Sequence, residues 1–114
     1  MYTYKVIINR IVDGDTLDVD VDLGFDIWLR GIRIRLNRIN AYETKLGINT
    51  DIKDKEKGLE AKEYLKTLLE NKQVTITTVD TKEKFGRWLG EVYINDMNIN
   101  DDLVTKGFAI YQKY

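Results

Sequence analysis

The stretch that most constrains this chain is VDGDTLDVDVDLG, residues 12–24. From residue 15 to residue 23 it alternates strictly. Leu17, Val19, Val21 and Leu23 fall on one side, with Asp18, Asp20 and Asp22 on the other. A period of two suits a strand with one buried face and no helix. Asp13-Gly14 just before it is a hairpin signal whose turn positions favour positive φ. A β-branched run at 3–11, TYKVIINRI, supplies the first arm of that hairpin.

The closely spaced acids also raise the question of a calcium loop. A loop starting at Asp18 would put Leu23 where the sharp turn needs glycine, and Leu29 where a bidentate glutamate closes the site. The EF-hand reading is therefore rejected, and Asp18, Asp20 and Asp22 are read as a solvated strand face. Asp13 and Asp15 share parity with Leu17 and Val19, so the strand carries them toward the apolar side at its end. An acid placed there needs a partner or a metal.

The rest of the chain supplies more strands and two helices. Residues 32–39, IRIRLNRI, alternate, with Ile32, Ile34 and Leu36 against Arg33, Arg35 and Asn37. A wide connection from Gly24 to Gly31 joins them to the preceding strand. Residues 54–71 switch period, with Ala61, Leu65, Leu68 and Leu69 striping one helical face. Strands follow at 73–79 and 88–94, then a turn at Asn95-Asp96. A short helix at 98–106 has Asn98 or Asn100 as N-cap and Gly107 past its end. A last strand covers 108–112. Trp28, Trp88 and Tyr64 are read as core or half-buried packing. Mainly β with α, in this order, this is a five-stranded β-barrel with an inserted helix and a short second helix. The expectation is one domain over residues 1–114.

Composition narrows the chemistry. The chain has no histidine, cysteine or proline. Disulfides and thiolate metal sites are excluded, as are the commonest general base and metal ligand. Catalysis here would run on carboxylates, Arg, Lys, Tyr, Ser, Thr or a bound metal. A net charge of −1 lacks the bulk basic excess of many nucleic-acid binders, although local patches can override a total. No apolar run approaches membrane-spanning length, and the N-terminus lacks a signal-peptide pattern. The expectation is a cytoplasmic protein, secreted only if a precursor segment was removed.

Three segments line up: VDGDTL at 12–17, RLNRINAYET at 35–44 and KFGR at 84–87. In this order and spacing they resemble the staphylococcal-nuclease (thermonuclease) family, over roughly residues 5–112. The resemblance implies an OB-fold barrel and a calcium-dependent nuclease acting on DNA or RNA with little sequence preference, with magnesium or manganese as the other candidate ions. It implies that Asp15 binds the metal, that Asn40 stands at a second metal-ligating position, and that Ala41 offers its backbone carbonyl. Glu43 corresponds to the general base that activates water. Arg35 and Arg87 correspond to a pair of guanidinium groups that clamp the phosphate. Lys84 and Phe85 match a Lys-Tyr pair that contacts a terminal phosphate of a bound nucleotide. The departures are Asn40 in place of aspartate, Tyr42 in place of proline and Phe85 in place of tyrosine. The expected state is a monomer. Two other readings stay open from the residues: a catalytically silent OB module binding single strands, and a barrel reused to bind a protein partner.

Overall fold

The structure, a computed structural model, describes residues 2–41, 52–82 and 88–112. Strand β1 runs Thr3–Asp13, β2 Thr16–Asp22 and β3 Trp28–Leu36, forming an antiparallel meander. Strand β4 is Ile39–Ala41, followed by helix α1, Ile52–Leu69. Then come β5, Gln73–Lys82, β6, Trp88–Ile94, and β7, Met97–Asn98. Helix α2, Ile99–Thr105, and β8, Ala109–Tyr111, complete the order. The main sheet has strand order β3-β2-β1-β5-β6-β7. It closes because β3 also pairs in parallel with β6, Ile34 opposite Trp88 and Leu36 opposite Gly90. Strands β1, β2, β3, β5 and β6 thus make a closed mixed barrel, the expected five-stranded OB-type architecture. β4 and β8 form a separate two-stranded sheet.

Alternation places the core. Val6 and Ile8 of β1, Leu17, Val19 and Val21 of β2, Ile34 of β3 and Ile76 of β5 point into the barrel. A register shift between Ile8 and Arg10 changes parity, so that Ile11 is the next buried position on β1. Helix α1 buries Ala61, Leu65 and Leu69, the stripe read from the sequence, with Leu68 packed partly against the same core. Each leucine so buried contributes about 2 kcal/mol of transfer free energy. α2 adds Ile99 and Leu103.

Several boundaries differ from the sequence reading. β3 starts at Trp28, well before residue 32, because the connection is a short hairpin in which Gly24, Phe25 and Asp26 take φ of 84, 55 and 59°. The strand expected at 32–39 breaks at Arg38 (φ 67°), so Ile39–Ala41 forms its own strand against β8. Neither Asp13 nor Gly14 has positive φ; the turn falls on Gly14-Asp15 between paired Asp13 and Thr16. Glycine is needed at position 14 for space, since an added Cβ would lie 2.9 Å from Ala41 Cβ and 3.0 Å from Ala61 Cβ. The Asn95-Asp96 turn does have the expected left-handed pair, φ 46 and 72°. Of the two N-cap candidates Asn98 is the cap, accepting from the Asp101 N–H at 3.0 Å. Trp88 is 42% exposed, outside the packing expected of it. Trp28 and Tyr64 are half-buried, as read.

Candidate functional site

The close approach at Gly14 brings the β1–β2 turn against β4, and there Asp15 meets the β3–β4 segment. The Asp15 carbonyl accepts from the Leu36 N–H at 2.7 Å. One carboxylate oxygen, Oδ2, accepts from the Ala41 N–H at 3.0 Å, and Oδ1 accepts from the Thr16 hydroxyl at 3.0 Å. Thr16 is itself buried and faces Arg35 across the β2–β3 ladder.

Arg35 is the buried cation of the site, its side chain only 7% exposed against 13% for Asp15. Nη1 lies 3.2 Å from Asp15 Oδ2 and donates to the Ile39 carbonyl at 3.1 Å and the Leu36 carbonyl at 3.3 Å. Nη2 donates to Asn40 Oδ1 at 3.1 Å. A guanidinium removed from water needs such a surround, because its desolvation is compensated only by charge and hydrogen bonds together. The parallel β3–β6 pairing sets Leu89 opposite Arg35 on the neighbouring strand.

The turn that aims Asn40 and Ala41 is held from behind. Asn100 is fully buried and donates from Nδ2 to the Asn37 carbonyl at 2.9 Å and the Gly90 carbonyl at 3.0 Å, while its Oδ1 accepts from the Val92 N–H at 3.1 Å. Arg38 forks onto Glu91, with Nη2 to Oε1 at 2.6 Å and Nε to Oε2 at 3.1 Å, and reaches Asp101 at 3.0 Å. Glu91 first, then Asp101, hold the Arg38 pKa above its usual value, and Arg38 holds the Asp101 carboxyl below the usual aspartate range. Sequence reading gave Asn100 only a capping role and gave Glu91 none. An asparagine between the buried Ile99 and Leu103 of a short helix was the available signal for Asn100.

Of the residues singled out from the sequence, the structure brings Asp15, Arg35, Asn40 and Ala41 together. Tyr42, Glu43, Lys84, Phe85 and Arg87 lie outside the described residues. Asp18, Asp20 and Asp22 are half-buried, not freely solvated. Arg33 forks onto Asp18 at 2.8 and 3.1 Å, Arg30 reaches Asp20 at 2.8 Å, and Asp22 accepts from the Gly24 N–H at 2.8 Å. The Asp18 and Asp20 carboxyls sit below the usual range, chiefly through the hydrogen bonds from Arg33 and Arg30.

A carboxylate, an amide oxygen and a peptide carbonyl are hard oxygen donors, suited to calcium, magnesium or manganese and unsuited to thiophilic ions. Among the described residues no three His, Cys, Asp or Glu side chains gather into a cation cage. Asp15 is therefore the one acid that this cluster's described residues offer a cation, and solvent or substrate oxygens would complete any coordination shell. The donor type fits; Arg35 already bonds to two of the oxygens.

A closed barrel with an inserted helix and a buried Arg–Asp pair at the end of β2 and β3 defines an OB-type domain. The chain belongs to the staphylococcal nuclease homologue family, whose model matches residues 33–114. An uncharacterized protein of Methanocaldococcus jannaschii is 34% identical, covering 95% of this chain and 58% of its own length. Endonuclease YhcR of Bacillus subtilis is 32% identical over 93% of this chain and 9% of its own length. Thermonuclease of Staphylococcus intermedius is 32% identical over 90% of this chain and 56% of its own length. The chain thus spans well under two thirds of each of these relatives. At the level of the family, nuclease-type function is supported. No helix among the described residues is long and apolar enough to cross a membrane.

Proposed function

We propose that this chain is a metal-dependent nuclease domain, spanning residues 1–114 and acting as a monomer, that hydrolyses phosphodiester bonds in DNA or RNA with little sequence preference. The observation that carries the reading is the convergence of Asp15, Arg35, Asn40 and Ala41 at one end of the barrel, in a chain of a nuclease family.

Hydrolysis of a phosphodiester sets an oxygen nucleophile against an anion and develops further negative charge on the equatorial oxygens. A guanidinium is a planar fork suited to pairing with those oxygens, and Arg35, anchored through Nη1 by two carbonyls, is assigned that role. Arg87 is assigned the second fork, and Lys84 and Phe85 the contact with a terminal phosphate. Without histidine, a carboxylate must take the proton of the attacking water, and Glu43 is assigned that role. Asp15, Asn40 and the Ala41 carbonyl would hold the cation, calcium in the first instance and magnesium or manganese otherwise. Bound there, it would neutralise phosphate charge and lower the cost of forming the nucleophile. Fixed charge of this kind supplies the largest share of acceleration in many enzymes.

The test is cleavage of plasmid DNA, single-stranded DNA and RNA with calcium, magnesium, manganese or a chelator. Cation-dependent cleavage is expected, with turnover lowered about 10²–10⁴-fold in Glu43→Gln while substrate binding persists. Binding without cleavage under every ion would make the domain a silent single-strand binder. Neither binding nor cleavage would leave a protein-binding barrel.

A further inference from the structure

The β2–β3 hairpin ends in a cluster of bare apolar side chains. Leu23, Phe25, Ile27 and Leu29 are 43, 99, 56 and 48% exposed. Single apolar residues on a surface are ordinary, but four at every second position of one hairpin form a patch, and such patches mark contact surfaces. The backbone there is held in a costly conformation. Phe25 and Asp26 have φ of 55 and 59°, left-handed values that glycine or asparagine adopts more cheaply. The turn is fixed by the Leu23 N–H to the Ile27 carbonyl and the Ile27 N–H to the Gly24 carbonyl, both at 2.9 Å. A phenylalanine both strained and bare adds no burial to this fold, which points to a use outside it.

Charge selects the occupant. From Asp22 to Leu29 the hairpin carries two carboxylates and no cation. Asp22 stands across the ladder from Lys5, while Asp26 makes no ion pair among the described residues. The arginines further down the hairpin are already engaged. Arg30 bonds to Asp20 at 2.8 Å and lies 5.1 Å from the centre of the Trp28 ring, and Arg33 forks onto Asp18. A tip with an unmatched carboxylate and no available guanidinium repels phosphate, which disfavours nucleic acid and anionic membranes. Insertion into neutral lipid would strip water from the Asp26 carboxylate. In a symmetric pair of copies the two tips would set like charges together. We infer that this tip docks a protein partner presenting an apolar cleft rimmed by lysine or arginine, with Phe25 as the anchor. The inference stands beside the nuclease reading and does not rest on it. The tip lies at the far end of β2 from Asp15, roughly 20 Å along the strand.

The test pans a random-peptide phage library against the immobilised full chain, with Phe25→Gly as the control. Glycine suits the left-handed φ at position 25, so this variant is expected to unfold at no lower a temperature and to keep whatever nuclease activity the wild type has. Loss of fold or of cleavage in it would give Phe25 a packing or substrate role and overturn the inference. Enriched peptides are expected to combine aromatic or aliphatic residues with Lys or Arg. They are expected to bind Phe25→Gly about tenfold or more weakly, as when a central aromatic anchor is removed. Asp26→Asn keeps a residue at ease in the turn and removes the charge; a smaller loss is expected, shrinking in high salt. Acidic peptides, peptides bound equally by wild type and Phe25→Gly, or no enrichment would each overturn the inference. The rival occupants are measured on the same two proteins, by co-sedimentation with vesicles of phosphatidylcholine alone or mixed with phosphatidylglycerol, by retention of a single-stranded oligonucleotide, and by sedimentation for self-association. No dependence on Phe25 is expected in any of them. A signal lost in Phe25→Gly would overturn the protein-partner assignment in favour of a membrane, a nucleic acid or a second copy.

Discussion

Strand β3 carries two arginines on one face, two residues apart, and each meets an aspartate of the β1–β2 hairpin. Arg33 forks onto Asp18, its direct cross-strand partner, at 2.8 and 3.1 Å. Arg35 lies 3.2 Å from Asp15 in the turn at the strand's end. The first pair has side chains 49% and 23% exposed, the second 7% and 13%. Strand, face and residue types are the same, so none of these distinguishes the pairs. What differs is the covering. At Arg33 the outer face meets water. At Arg35 the sheet has curled round to β6, the chain has turned at Arg38, and β4 has folded back over the ladder's end. A barrel's closure, more than its pattern of charges, leaves one Arg–Asp pair in contact with water and buries the other.

The largest expected consequence is in stability. Removing one member of a buried pair leaves the other charge uncompensated, which costs about 3–5 kcal/mol, whereas an exposed pair contributes about 0–1 kcal/mol. Arg35→Met should therefore lower unfolding free energy by about 3 kcal/mol or more, and Arg33→Met by under about 1 kcal/mol. Urea unfolding of the two variants checks this. Equal losses would mean that the covering of Arg35 does not act as described.

The second expected consequence is in turnover. Lysine keeps the charge but offers a point donor where the proposed phosphate clamp relies on a fork. Arg35→Lys should lose about 10²-fold in turnover, as when one donor to a developing oxyanion is removed. Arg33→Lys should cleave like the wild type. Full activity in Arg35→Lys would sink the clamp assignment, and a large loss in Arg33→Lys would extend the site along the strand.

How much of this contrast was legible beforehand follows the same line. Period-two alternation located β2 and the outward side of Arg33 and Arg35, because side-chain direction in a strand is a local property. The helix stripe Ala61, Leu65, Leu69 was legible for the same reason. That Asp15 and Arg35 belong together at one end of the barrel came from the order of the family's segments; their ion pair was not read, since the contact depends on barrel closure and on a turn at Arg38 that no local signal announced. The start of β3 was missed because Gly24 looks like any loop glycine, while its left-handed φ together with Phe25 and Asp26 compresses the hairpin. Gly14 was located correctly and explained wrongly: its role is to let Ala41 and Ala61 approach. Asn100 shows the general difficulty, since a buried amide satisfied by three backbone groups is invisible until the segments it joins are in place.

A third prediction tests the support behind the site. Asn100→Leu leaves the Val92 N–H, the Asn37 carbonyl and the Gly90 carbonyl without their side-chain partner. Although Gly90 O also accepts from the Asn37 N–H at 2.9 Å, the Val92 donor is left stranded in the core. A buried unsatisfied backbone group costs about 1–3 kcal/mol, so a loss of about 2 kcal/mol is expected. If the β3–β4 turn depends on this clamp, turnover should fall in the folded variant too, with Arg33→Met again as the insensitive control.

The smallest expected effect concerns the exposed pair and its response to acid. Arg33 donates to the Asp18 carboxylate and holds that carboxyl below the usual aspartate range, while the Asp18 contact raises the Arg33 pKa in turn. The sign follows from which state binds the proton more tightly. The unfolded chain, with its ordinary aspartate near pH 3.9, takes up the Asp18 proton before the folded one does. The pair's contribution is therefore fully present above about pH 5, and it is lost as pH falls through the lowered value of the folded state. Solvent screening at Arg33, half-exposed, keeps that contribution under about 1 kcal/mol. Asp18→Asn should then be slightly less stable than the wild type at about pH 7, by a few tenths of a kcal/mol, and the two should converge in acid as pH falls through the lowered value at which the folded carboxyl takes up its proton. Chemical denaturation at neutral and at acid pH, repeated in high salt to screen the pair, measures the difference. A gap that persists unchanged into acid would mean that Asp18 acts through the fit of its side chain on the strand and not through its charge, and the exposed pair would then stand further from the buried one than their shared chemistry implies.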